Sequence, residues 1–194
     1  MPAQADPDLA LKLAQATADL YGQAVERLLA MVARRLARGI DQPGWAEGKL
    51  AELTVLRNEA QRVVAALHAE APTVVADAVR KAWEAGQKAA TAEVSGGFAV
   101  ATNTAAVDRL IGEAVQQVTS THPQILRSTL DVYRQVIQEA SGQTIAGAGT
   151  RRQAAQQSLN RFANQGIVGF IDGKGRRWGI DTYTEMACRT TVGR

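Results

Sequence analysis

The side chains that could carry out chemistry are few and widely separated. Cys188 is the single cysteine, and His68 and His122 are the two histidines. A thiol nucleophile needs a nearby base to make the thiolate. Neither histidine lies close to Cys188 in sequence, so Cys188 reads as a buried structural residue and no catalytic residue is assigned. With one cysteine no internal disulfide can form, which fits a reducing compartment. His68 and Glu70 stand two apart, and side chains at that spacing do not face each other on a helix. His122 precedes Pro123 and reads as a loop or cap residue. Glu47, Glu52 and Glu59 read as ordinary helix-surface charges. Nothing supplies three convergent ligands, so neither a structural nor a catalytic metal is expected, and no cofactor.

The residues with a chemical bias are cations near the C-terminal end. The turn Gly173-Lys174-Gly175-Arg176-Arg177 places three positive side chains and exposed backbone N–H groups on one loop. Such groups neutralise phosphates or carboxylates. The spacing is not that of a P-loop, which requires GxxxxGK[ST]. The alternative is a solvated turn whose charges only aid solubility. From Thr150 to Arg194 there are eight Lys/Arg against three Asp/Glu, a balance of +5, which leaves −2 for the rest of a chain whose total is +3. A basic end on a near-neutral body suits an acidic partner, either DNA or a protein surface. Arg151 and Arg152 belong to the same basic segment. Together with Lys174, Arg176 and Arg177 they form the candidate partner- or DNA-contacting set.

These cations need elements to hold them. Ile167–Ile171 and Arg176–Ile180 are short β-prone runs around a Gly-containing turn, the pattern of a β-hairpin. Asp181 and Thr182 then open a helix, with Thr182-Tyr183-Thr184-Glu185 fitting a capping box. An isolated two-stranded hairpin is barely stable. Trp178 is therefore expected to cover that last helix near Tyr183 or Met186, with Arg189 on the Met186 face. Upstream, an Ala- and Leu-rich pattern predicts helices. The first starts at Asp6-Pro7 and runs through Leu13, Leu20, Val25, Leu28, Val32 and Leu36 until Gly39 stops it. A second covers about 45–71, where Pro72 ends it and seeds a third. Ser95-Gly96-Gly97 is a break. Further helices follow over about 102–118 and up to Ala140, then over 151–164. Gly142, Gly147 and Gly149 make 141–150 the expected hinge. The expectation is a mainly α protein: an elongated helical bundle over 1–140, a Gly-rich hinge over 141–150, and a basic helix–hairpin–helix module over 151–194. Aromatics are 5% of residues, which suits closely packed helices better than an enzyme with a deep pocket. No apolar run reaches the roughly 18 residues of a membrane span. The opening Met1-Pro2-Ala3-Gln4-Ala5-Asp6 lacks the basic start and apolar core of a signal peptide.

The C-terminal segment resembles the signature of the phage minor capsid protein 2 family, one of the MuF-like head-morphogenesis groups. In that family a D-x-x-G-R-x-W hairpin leads into Y-x-x-M-x-x-R-T on a helix. The matching residues here are Asp172, Gly175, Arg176, Trp178, Tyr183, Met186, Arg189 and Thr190. The resemblance implies a non-enzymatic minor capsid protein of a tailed-phage head. It would be assembled in the host cytoplasm and reside in the virion. Its implied partners are the portal protein or the major capsid protein, double-stranded DNA, and a second copy of the chain, with no membrane. Two other classes remain open at this point. One is the delivery region of a phage-carried effector or toxin, which would need a catalytic constellation. The other is a DNA-binding regulator, which would need a basic recognition helix.

Overall fold

The computed structural model describes residues 7–93, 104–165, 170–171 and 177–178, with side chains described over 15–88, 91 and 104–164. Among the described residues six helices follow in order: α1 (Pro7–Ala37), α2 (Trp45–Ala51), α3 (Leu53–Glu93), α4 (Thr104–Thr119), α5 (His122–Ile145) and α6 (Arg151–Gln165). The protein is mainly α, as its sequence pattern predicts. The residues fall into two compact units. Among the described residues, one joins 7–21, 68–93 and 104–121, and the other joins 22–67, 122–165, 170–171 and 177–178. Helices α1 and α3 contribute to both.

In the first unit the buried residues are Thr17, Ala18 and Tyr21 of α1, Ala71, Val75, Ala78 and Val79 of α3, and Val107, Ala114 and Val118 of α4. Their spacings, mostly three, four or seven, keep each set on one helical face. Tyr21 is fully buried, and its hydroxyl donates to the Val118 carbonyl at 3.4 Å. Thr121 closes the end of α4 by donating its hydroxyl to the same carbonyl at 2.7 Å.

The second unit buries Leu28, Val32 and Leu36 of α1, Leu56, Ala60 and Leu67 of α3, and a long face of α5 from Ile125 through Val132, Tyr133, Val136 and Ile137 to Ala140. Helices α2 and α6 both pack on α5. The α6 seam is made of Ala154, Ala155 and Ser158, small enough for two helix backbones to approach closely. Gly39 ends α1 at φ 66°, and Gly44 opens α2 at φ 69°. Both are left-handed conformations that a residue with a Cβ adopts only at a cost.

Three boundaries differ from the sequence expectation. The helix expected over 45–71 is interrupted at Glu52, whose N–H is shared between the carbonyls of Gly48 at 3.3 Å and Lys49 at 3.2 Å. Pro72 does not end a helix. It lies within α3, where it lacks an N–H for the His68 carbonyl. Interior proline costs roughly 3 kcal/mol. The buried face made by Leu67, Ala71, Val75 and Ala78 keeps its register across Pro72, and that burial outweighs the lost bond. Residues 141–145 are the last turn of α5 instead of the start of a Gly-rich loop, with Thr144 donating to the Ala140 carbonyl at 2.7 Å. The remaining connection, 146–150, joins two helices of one unit.

At the C-terminal end, Phe170–Ile171 pairs antiparallel with Arg177–Trp178, Phe170 opposite Trp178 and Ile171 opposite Arg177. This two-residue pairing is all that the described residues contain of the expected hairpin, and it does not make a hairpin-plus-helix module part of the fold. The turn that carries Lys174 and Arg176 lies outside the described residues. So do Tyr183, Met186, Cys188, Arg189 and the Ser95-Gly96-Gly97 break.

Candidate functional site

Two of the five predicted contact residues are placed with their side chains, and both are engaged by their own chain. Arg151 is the first residue of α6. Its Nη1 donates to the carbonyls of Ile40 at 2.6 Å and Gln42 at 3.0 Å, and its guanidinium lies 5.5 Å from the centre of the Trp45 ring. Trp45 is itself held, because its Nε1 donates to the Leu36 carbonyl at 3.0 Å. Arg151 thus fastens α6 to the loop between α1 and α2. Arg152 pairs with Asp41 at 2.6 Å, with both side chains more than half exposed. The fork of Arg151 is therefore a structural fastener, and Arg152 retains solvent access. The side chains of Arg177 and Trp178 lie outside the described residues.

A reciprocal cap sets the start of α6. The Thr150 N–H donates to Gln153 Oε1 at 3.1 Å, and the Gln153 N–H donates to Thr150 Oγ1 at 3.2 Å. This is a capping box. The Thr150-x-x-Gln153 pattern is the sequence signature of this cap, and Gly147 and Gly149 precede it.

The most developed charged cluster includes Glu52 and Glu59, which their sequence alone marks only as helix-surface charges. Arg35 donates from Nη1 to Glu52 Oε2 at 3.0 Å and from Nη2 to Glu59 Oε1 at 2.7 Å. Lys49, with only 7% of its side chain exposed, reaches Glu52 Oε1 at 3.1 Å. Two cations and two carboxylates therefore balance across α1, α2 and α3. Burial pushes the Glu52 carboxyl up, but the hydrogen bonds from Lys49 and Arg35 outweigh it and hold the group below the usual carboxylate range. Burial likewise disfavours the Arg35 cation, and its bonds to Glu59 and Glu52 more than restore it. Tyr133 donates to the Lys49 carbonyl at 3.2 Å, and burial pushes its phenol up out of the titrating range.

Beside this cluster lies a cleft of about 220 Å³ lined by Met31, Arg34, Arg35, Arg38 and Glu59. Arg34 donates only Nε, to the Ala30 carbonyl at 3.2 Å, among the described residues. Arg27, Arg34 and Arg38 are exposed. The sequence reading missed this group because it followed the apolar stripe of α1. The same helical period applied to the arginines would have found it.

No group of three or more His, Cys, Asp or Glu among the described residues could hold a metal ion. His68 is exposed on α3, whereas His122 is buried at the start of α5. No helix among the described residues is long and apolar enough to cross a membrane.

A family profile described as phage minor capsid protein 2 matches residues 5–194. No curated protein and no solved structure matches the chain.

Proposed function

The chain belongs to the phage minor capsid protein 2 family, and from this premise we propose that it works in the head of a tailed phage by contact and not by catalysis. Membership makes it a structural phage protein of the virion that interacts with other virion components. The proposed role is association with the portal, with packaged DNA, or with both during head assembly. The basic segment from Thr150 to Arg194 would make the contact.

The observation that carries this reading is the +5 balance of that segment on a body of −2. Arg151 and Arg161 are held within the protein, by the Ile40 and Gln42 carbonyls and by Glu139 at 2.6 Å. The contact is therefore assigned to Lys174, Arg176 and Arg177, with Arg152 at the edge. Trp178, Tyr183, Met186 and Arg189 are proposed to pack the module that presents them. Absence of turnover belongs to the same proposal and follows from the isolation of Cys188, His68 and His122 in the sequence.

The test is incorporation of the Lys174→Ala, Arg176→Ala, Arg177→Ala variant into particles. The expected result is reduced incorporation or reduced DNA retention, with an unchanged helical circular dichroism signal. Wild-type values of both would reduce these cations to a solvated turn.

A further inference from the structure

We propose that the outward face of α1 from Arg27 to Arg38 is a second anion site, one that binds the phosphate backbone of duplex DNA. It is separate from the C-terminal segment and does not rest on it.

The geometry comes from the helix. At 3.6 residues per turn, Arg27 and Arg34 of α1 and Arg38, the residue directly after its last turn, fall within about 40° of one another, with Met31 about 20° beyond Arg38. They span about 16 Å along the axis at 1.5 Å per residue. The stripe reads Gln23, Arg27, Met31, Arg34, Arg38 and contains no acidic residue. A solvated helix face usually mixes both signs. Here three exposed arginines stand in a row. Arg27 and Arg38 have no hydrogen bond or ion pair among the described residues, and Arg34 keeps both terminal nitrogens unengaged.

The one acid lining the cleft does not cancel them. Glu59 accepts from Arg35 at 2.7 Å, and Arg35 also holds Glu52, which Lys49 shares. That cluster is neutral within itself, so Arg34 and Arg38 project a net positive charge from the rim. A single carboxylate of a protein partner would fill the cleft and leave Arg27 without a partner. A polyanion of regular spacing engages the whole row, with one phosphate for each of the three guanidiniums. The forked guanidinium suits phosphate oxygens, and Met31 offers an apolar surface to the sugar.

The experiment is fluorescence anisotropy of a labelled, random-sequence duplex with the full chain, read as a function of salt. The R27Q/R34Q/R38Q variant keeps good helix formers on an exposed face. It is expected to lose roughly tenfold or more in affinity at low salt, and its log–log salt slope should shrink by about 2.7, at ~0.9 per phosphate contact. The R27K/R34K/R38K variant is expected to keep the slope, because lysine neutralises a phosphate as a point charge. The K174A/R176A/R177A variant should retain the α1 contribution, so failure of one site is distinguishable from failure of the other. Should the triple glutamine variant lose its helical signal, R34Q and R38Q singly carry the test, each lowering the slope by about 0.9. Three results would overturn the proposal: no DNA binding by the wild-type chain, an unchanged slope in the glutamine variants, or loss of poly-glutamate binding by those variants while DNA binding stays intact. The last would assign the face to an acidic protein.

Discussion

Arg151 joins three parts of the chain through one guanidinium: two loop carbonyls and the Trp45 ring. Arg151→Ala removes two charge-assisted hydrogen bonds and a cation–π contact, for an expected loss of about 2–3 kcal/mol, measured by urea unfolding. Arg152→Ala next to it should cost less than about 1 kcal/mol, because its partner Asp41 is as exposed as itself. Equal losses would mean that burial does not separate the two residues. A second residue-scale effect depends on pH. Burial pushes the Glu139 carboxyl up, but hydrogen bonds from Arg161, Gln135 and Ser158 outweigh that and hold it below its ordinary value of 4.5. Glu52 is depressed in the same way. The folded state thus binds protons less readily than the unfolded state. The stabilisation is complete above the ordinary carboxylate range and is lost as pH falls through the depressed folded values. Thermal melting across acidic pH should show that decline, and Glu139→Gln should flatten it.

At the scale of elements, Pro72 is the sharpest case. It sits inside α3 only because the buried face on either side stays in register. Pro72→Ala restores a backbone donor and is expected to stabilise by about 1–3 kcal/mol, after allowing for the greater freedom of the unfolded chain. A fall in the urea midpoint would show that the ring has a packing role that alanine cannot fill. The loop 146–150 gives a further expectation. It is exposed throughout and includes Gly147 at φ 67°. Limited proteolysis should cut there before it cuts any helix interior, and first cleavage within α1 or α3 would contradict this. The helical periods of α1, α4 and α5 were legible because apolar residues recur at helical spacings, whereas α6, among the described residues, buries only Ala154, Ala155 and Ser158, small residues that make a weak stripe. Pro72 misled because its local cost is visible in sequence, whereas the packing that offsets it comes from residues far away. Arg35 and Arg151 were illegible as fasteners for the same reason. Their partners lie 17 to 111 residues away, and a charged side chain gives no sign of whether it meets solvent or a carbonyl. Tyr21 falls outside the aliphatic stripe of α1, yet its ring is wholly buried.

At the scale of the whole molecule, helical units carry charged surfaces, and no group of three or more His, Cys, Asp or Glu among the described residues could hold a metal ion. A structural phage protein needs only surfaces that others recognise, and membership of the phage minor capsid protein 2 family agrees with that economy. The proposed contact with the portal region places the chain at one site in the phage head. The most direct measurement is the position of the protein in intact particles, by asymmetric image reconstruction of virions with and without it. The account predicts difference density confined to the single portal-bearing vertex. Density spread evenly over the shell, or purified virions that lack the protein altogether, would contradict it.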